Sequence, residues 1–135
     1  ADDLARVGHD QLGDPGLVAD LDLAAGSGRC NCSICTKTRF WGVVVRPEAF
    51  RLQQGEDDLG RYRFGTHATE HLFCRHCGVK SFGRGELEVL GGRYVSVNLA
   101  CLDDVAPETM AEVPIRYFNG RDNDWFSEPA VTRHL

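Results

Sequence analysis

Three cysteines fall within six residues, Cys30, Cys32 and Cys35 in the segment CNCSIC, and a second pair, Cys74 and Cys77, follows in CRHCG. The first spacing constrains the fold more than any other feature of the chain, because C-x-C-x-x-C gathers three thiols on one tight turn without help from distant residues. Thiolate is a strong zinc ligand, so the turn reads as metal chemistry. A structural zinc is closed by four protein ligands, whereas a catalytic zinc holds three and keeps the fourth position for water or substrate. Two arrangements fit the sequence. Either Cys74 or Cys77 closes the first cluster as a staple, or the second pair serves another site and the first stays open.

A chain of 135 residues fits one domain and buries a core without depending on crosslinks, so the metal is local or functional. The formal net charge of -5 and the lack of any basic run argue against a nucleic-acid surface, which needs a concentrated positive footprint. Arg61, Arg63, Arg84 and Arg93 are spaced singly, the pattern of a solvated surface. No stretch reaches the apolar length of a membrane span, and the opening ADDLARVGHD lacks the basic-then-apolar layout of a signal peptide. A soluble, cytoplasmic protein is the expectation. In a reducing compartment, closely spaced cysteine pairs point to metal or redox work rather than to disulfides. Cys32 and Cys35 also spell a redox C-x-x-C, but no βαβ context surrounds them and a third cysteine favours metal.

The periodicity predicts a mainly β protein. Leu17, Ala19, Leu21 and Leu23 alternate as in a half-buried strand that ends at Ala-Gly-Ser-Gly before Cys30. Further strands are expected over 40–45, 50–53, 60–64, 71–73, 79–82 and 86–90. After the Gly91-Gly92 turn, one more runs through Tyr94 to Leu99 with Val95, Val97 and Leu99 inward. Only Pro107 to Glu112 reads as helical, with proline suited to a first turn and Pro114 stopping it.

The order CNCSIC, YRFGT, HLFCRHCGVKSFGRG, YVSVNLACLDD and YFNGRDNDW, over residues 17–126, resembles the glutathione-dependent formaldehyde-activating enzyme family, which includes centromere protein V-like domains. The resemblance implies a single zinc-binding β-tent domain of several small twisted antiparallel sheets with one short helix. It also implies a catalytic zinc on Cys30, Cys32 and Cys35, and a structural zinc shared between a C-x-x-C, Cys74 and Cys77, and an earlier C-x-C. That earlier pair is missing: its positions fall near Asp10-Gln11-Leu12. Imidazole and carboxylate both bind zinc, so His9 and Asp10 are substitute ligands in one reading and plain loop residues in the other.

Lys37 and Arg39 follow the first knuckle and are candidates for binding a substrate carboxylate. His67, His71 and His76 titrate near neutrality but more simply occupy strands or surface, with His76 next to the sulfur cage. Cys101 reads as a small core residue, and Trp41, Trp125 and Phe126 as core aromatics. The activity that the resemblance implies is condensation of a small aldehyde such as formaldehyde with a thiol such as glutathione, a carbon-sulfur lyase reaction run in the synthetic direction. The alternatives are a zinc-stabilised binding module and a diverged enzyme acting on another small electrophile.

Overall fold

Alternation along β2 (Gly16–Leu21) buries Leu17, Ala19 and Leu21 and leaves Asp20 exposed, the pattern of a strand with one face on a core. The structure, a computed structural model, describes residues 3–7, 16–63 and 69–135. Within them β1 (Asp3–Val7), β2 and β5 (Phe50–Gln54) form a three-stranded antiparallel sheet. The remaining strands are β3 (Ser27–Cys30), β4 (Gly42–Val45), β6 (Leu59–Tyr62), β7 (Thr69–Cys74), β8 (Lys80–Leu87), β9 (Gly92–Asn98) and β10 (Ile115–Phe118). They make a seven-stranded sheet in the order β10-β3-β4-β9-β8-β7-β6.

One row of that sheet is the core. Val43, Val97, Phe82 and Leu72 stand opposite one another across β4, β9, β8 and β7, and all are buried. The smaller sheet covers this row, with the Phe50 ring 4.8 Å from that of Phe82. Because side chains alternate across a strand, the next row, His71, Gly83 and Ser96, lies on the opposite face.

The mainly β reading holds, and the structure corrects details. The stretches 79–82 and 86–90 are not two strands: β8 runs unbroken from Lys80 to Leu87, and 88–90 form a 3-10 turn. Gly83 and Gly85 resemble breaks in the sequence, but a Cβ at Gly83 would stand 3.1 Å from the Glu70 carbonyl oxygen, so glycine there permits close strand approach. The large sheet contains a parallel pair, β3 with β10, where only antiparallel pairing is implied by the resemblance. Among the described residues two α-helices form rather than one, α1 (Ser33–Thr38) and α2 (Pro107–Ala111). Phe126 and Trp125 are not core: they are 89% and 40% exposed. No helix among the described residues is long and apolar enough to cross a membrane.

Arg61, Arg63 and Arg84 are likewise not scattered solvated charges. All three donate to the buried carboxylate of Glu70, Arg63 through Nε and Nη2 at 3.0 and 2.7 Å, Arg84 through Nε at 2.9 Å and Arg61 through Nη1 at 3.3 Å. Burial pushes the Glu70 pKa up, but Arg63 and Arg84 outweigh it and hold the group below its ordinary value. The folded pKa is therefore depressed, so this stabilisation is complete above the unfolded value of about 4.3 and is lost as pH falls through the folded one. Glu70→Gln is expected to lower stability by about 2 kcal/mol at neutral pH, less than for a fully buried pair because the arginines are half exposed. Urea denaturation at pH 7 and pH 3 checks this: the gap between the two proteins should narrow in acid.

Candidate metal centre

β3 ends at Cys30, Asn31 turns the chain, and Cys32 is the N-cap of α1 with extended backbone angles of φ -63° and ψ 162°. Cys35 follows inside the helix. The spacing thus becomes a strand end, a cap and a helical turn, and the three Sγ atoms lie within 4.8 Å of one another, half-buried. Three sulfurs around one zinc at about 2.3 Å would stand about 3.8 Å apart, so closing on an ion requires shifts of no more than about 1 Å. The donor set fits a thiophilic metal.

The cluster is electrostatically asymmetric without a metal. Hydrogen bonds from the Cys30 and Cys35 thiols, helped by the backbone N–H groups of Cys35 and Ile34, lower the Cys32 pKa to about 2. Cys30 and Cys35 are pushed up, chiefly by sharing hydrogen bonds with their neighbours and then by burial.

The segment around Gly120 clamps the cysteine turn. The Asn31 N–H donates to the Phe118 carbonyl at 3.1 Å, its Nδ2 to Asn119 Oδ1 at 2.8 Å, and its Oδ1 accepts from the Arg121 N–H at 2.9 Å. Gly120 lies so close that a Cβ there would stand 2.5 Å from Cys30 Sγ. Asn31, Asn119 and Gly120 were missed as site residues by sequence reasoning, although CNCSIC carried the first and YFNGRDNDW the other two. A cavity of about 350 Å³ opens beside this clamp, lined by Asn31, Thr36, Arg121, Asp122 and His134 among others. Thr36 borders both this cavity and a narrower cleft holding Cys30, Cys35, Arg39 and Phe40, and its Oγ1 is buried without a hydrogen-bond partner.

Of the two cations expected at the site, Arg39 lines the narrow cleft with a left-handed backbone, and its Nη1 donates to the His134 carbonyl at 2.9 Å. Lys37 sits exposed in the last turn of α1. The cation brought in from elsewhere is Lys80, whose Nζ lies 2.6 Å from His71 Nδ1 and 4.1 Å from the Phe40 ring centroid.

The second knuckle is a tight turn. The Gly78 N–H donates to the Cys74 carbonyl at 2.8 Å, the His76 N–H lies 3.4 Å from Cys74 Sγ, and Gly78 has φ +80°. The His76 ring pairs with Asp58 at 2.8 Å. Among the described residues neither Cys74 nor Cys77 belongs to the three-thiol group. His9, Asp10 and His67 lie outside the described residues. Cys101 packs against the core as expected, and burial pushes its thiol up to about 11.

Fold and centre together define a mainly β protein with a metal-competent trithiol turn at the end of an inner strand. The chain belongs to the glutathione-dependent formaldehyde-activating enzyme family, whose sequence model matches residues 22–119. It is also similar to a Rhodobacter sphaeroides protein of known crystal structure, with 28% identity and a TM-score of 0.67 over 82% of this chain and 99% of that one.

Proposed function

We propose that this protein is a zinc-dependent carbon-sulfur lyase working in the synthetic direction, adding the thiol of glutathione to formaldehyde, with the chain forming one β-tent domain in the cytoplasm. The observation that carries this reading is the trio of half-buried Sγ atoms of Cys30, Cys32 and Cys35 within 4.8 Å of one another. The reaction is redox-neutral: a C–S bond forms, the C=O π bond becomes a C–O single bond, and the thiol proton ends on that oxygen. Zinc on three thiolates would supply a fourth position where a substrate thiol ionises.

The chain's own residues hold and orient. Cys30, Cys32 and Cys35 would hold the metal from one strand end, one helix cap and one helical turn. Asn31, fixed through Asn119 and the Arg121 N–H, keeps the cysteine turn from opening. The polar cavity beside it would take the body of the thiol, with the Arg121 guanidinium facing a substrate carboxylate. Cys74 and Cys77 would hold a second, structural zinc, completed from the segment around His9 and Asp10.

The test is the rate of hydroxymethyl-thioether formation from formaldehyde and glutathione, above the uncatalysed rate, by metal-loaded protein. Acceleration is expected, with Arg121→Ala raising KM for glutathione about tenfold and for 2-mercaptoethanol, which has no carboxylate, hardly at all. No acceleration at full metal content would overturn the reading. The binding-module alternative draws on the exposed Phe126 and Val131 near the clamp, at 89% and 63% exposure, and would show metal uptake with no turnover.

A further inference from the structure

Lys80 is a cation that sequence order places three residues after Cys77 and that the fold delivers to Phe40, a wall of the cleft that holds Cys30 and Cys35. Phe82 pairs with Leu72 in the core row, so simple alternation would put Lys80 on the core face as well. The register shift between Leu72 and Phe73 prevents this: Lys80, not Ser81, stands opposite Phe73. A bulge of this kind re-aims a side chain. Lys80 is thereby turned to the face of His71 and Gly83, with its Cε only 3.9 Å from where a Cβ on Gly83 would be.

Its surroundings fix it there. The ammonium donates to His71 Nδ1 at 2.6 Å and lies 4.1 Å from the centroid of Phe40. Phe40 also lines the cleft that contains Cys30 and Cys35. His71 is buried, and burial together with the Lys80 charge lowers its pKa to about 4, so at neutral pH it is an uncharged acceptor. Burial lowers the Lys80 pKa, while negative charge on Cys35 and Cys32 opposes that shift. The single positive charge of this pair is therefore Lys80, and the Phe40 ring beneath it also walls the cleft of Cys30 and Cys35.

We propose that Lys80 is a specificity-determining positioning residue that makes the trithiol centre favour an anionic sulfur over a neutral ligand in the fourth position. This rests on the reading that Cys30, Cys32 and Cys35 hold a divalent metal. Three thiolates on such an ion carry about -1 and a fourth brings the total to about -2, so the fourth thiolate adds a charge that a nearby ammonium in a half-buried setting offsets. A neutral ligand adds no charge and gains nothing from Lys80. The same residue would thus select thiols as a class, apart from any recognition of the rest of the substrate.

The test uses cobalt(II)-loaded full-length chain at pH 8, with 2-mercaptoethanol and imidazole titrated separately and followed by the visible bands of the metal. Lys80→Met keeps an apolar stem over Gly83 and Phe40. It is expected to weaken thiol binding about tenfold and leave imidazole binding within twofold. Lys80→Arg should retain the thiol preference. If Lys80→Met does not fold, Lys80→Gln is read in its place with the same expectation. Equal weakening of both ligands, or no change in either, overturns the role of Lys80 while leaving the metal reading intact. Absence of sulfur-to-cobalt absorption in the unmodified protein overturns the metal reading and the role of Lys80 with it.

Discussion

Cys32→Ser is expected to remove one metal per chain and abolish thiol-dependent turnover, while Cys74→Ser leaves that metal in place. Three sulfurs drawn from one strand end, one cap and one helical turn lie within 4.8 Å of one another, and neither cysteine of the second knuckle joins them. Cys32 is the member most inclined to be a thiolate, so its loss removes both a ligand and the anchor of the hydrogen bonds from Cys30 and Cys35. Affinity should fall by several orders of magnitude, because a two-thiol remnant no longer presents the three ligands of an open zinc site. Metal content by mass spectrometry of protein purified without added metal, for the native chain and both variants, checks it. Should Cys74→Ser also empty the first site, the knuckles share one closed metal and the binding-module reading moves ahead.

Gly120→Ala is the second large effect, and it changes no ligand. A Cβ at Gly120 would stand 2.5 Å from Cys30 Sγ and 2.8 Å from the Trp125 ring, closer than real Cβ atoms come. Cys30 has a short side chain at the end of β3, while Trp125 is 40% exposed and donates through Nε1 to Asn123 Oδ1 at 2.9 Å, so both must give way unless the Gly120 backbone itself moves. If the thiol moves, the trio opens. Metal affinity is expected to drop about 10–100-fold, the cost typical of losing a group that orients a ligand. A chelator competition against the native chain measures this, and circular dichroism confirms that the fold is kept. Unchanged affinity would mean that the Gly120 backbone and Trp125 shift while the thiol stays in place, and that Gly120 serves only the turn.

The gap between sequence and structure is instructive at particular residues. C-x-C-x-x-C was legible because all three ligands come from one local turn, and local geometry follows from short spacing. The alternation in β2 and β9 was legible because a half-buried strand repeats every second residue, and Leu17, Leu21, Val95 and Val97 are indeed buried. β3 and β10 were not legible. Their pairing spans residues 27 and 115, and Gly28 is needed because a Cβ there would stand 2.7 Å from the Phe118 ring, a requirement that exists only once β10 has arrived.

By itself, then, the sequence determined the local objects: the trithiol turn, the second knuckle and the two-residue rhythm that divides each strand into a core side and an outer side. Only the tertiary structure decided their company. It gathered Arg61, Arg63 and Arg84 onto Glu70, set Gly120 and Asn119 against the cysteine turn, and through one bulge turned Lys80 away from the core toward His71. The physical reason is that periodicity states which way a side chain points relative to its own strand, whereas the charge or thiol it meets depends on strand order and register. Those are set by the packing of the whole sheet.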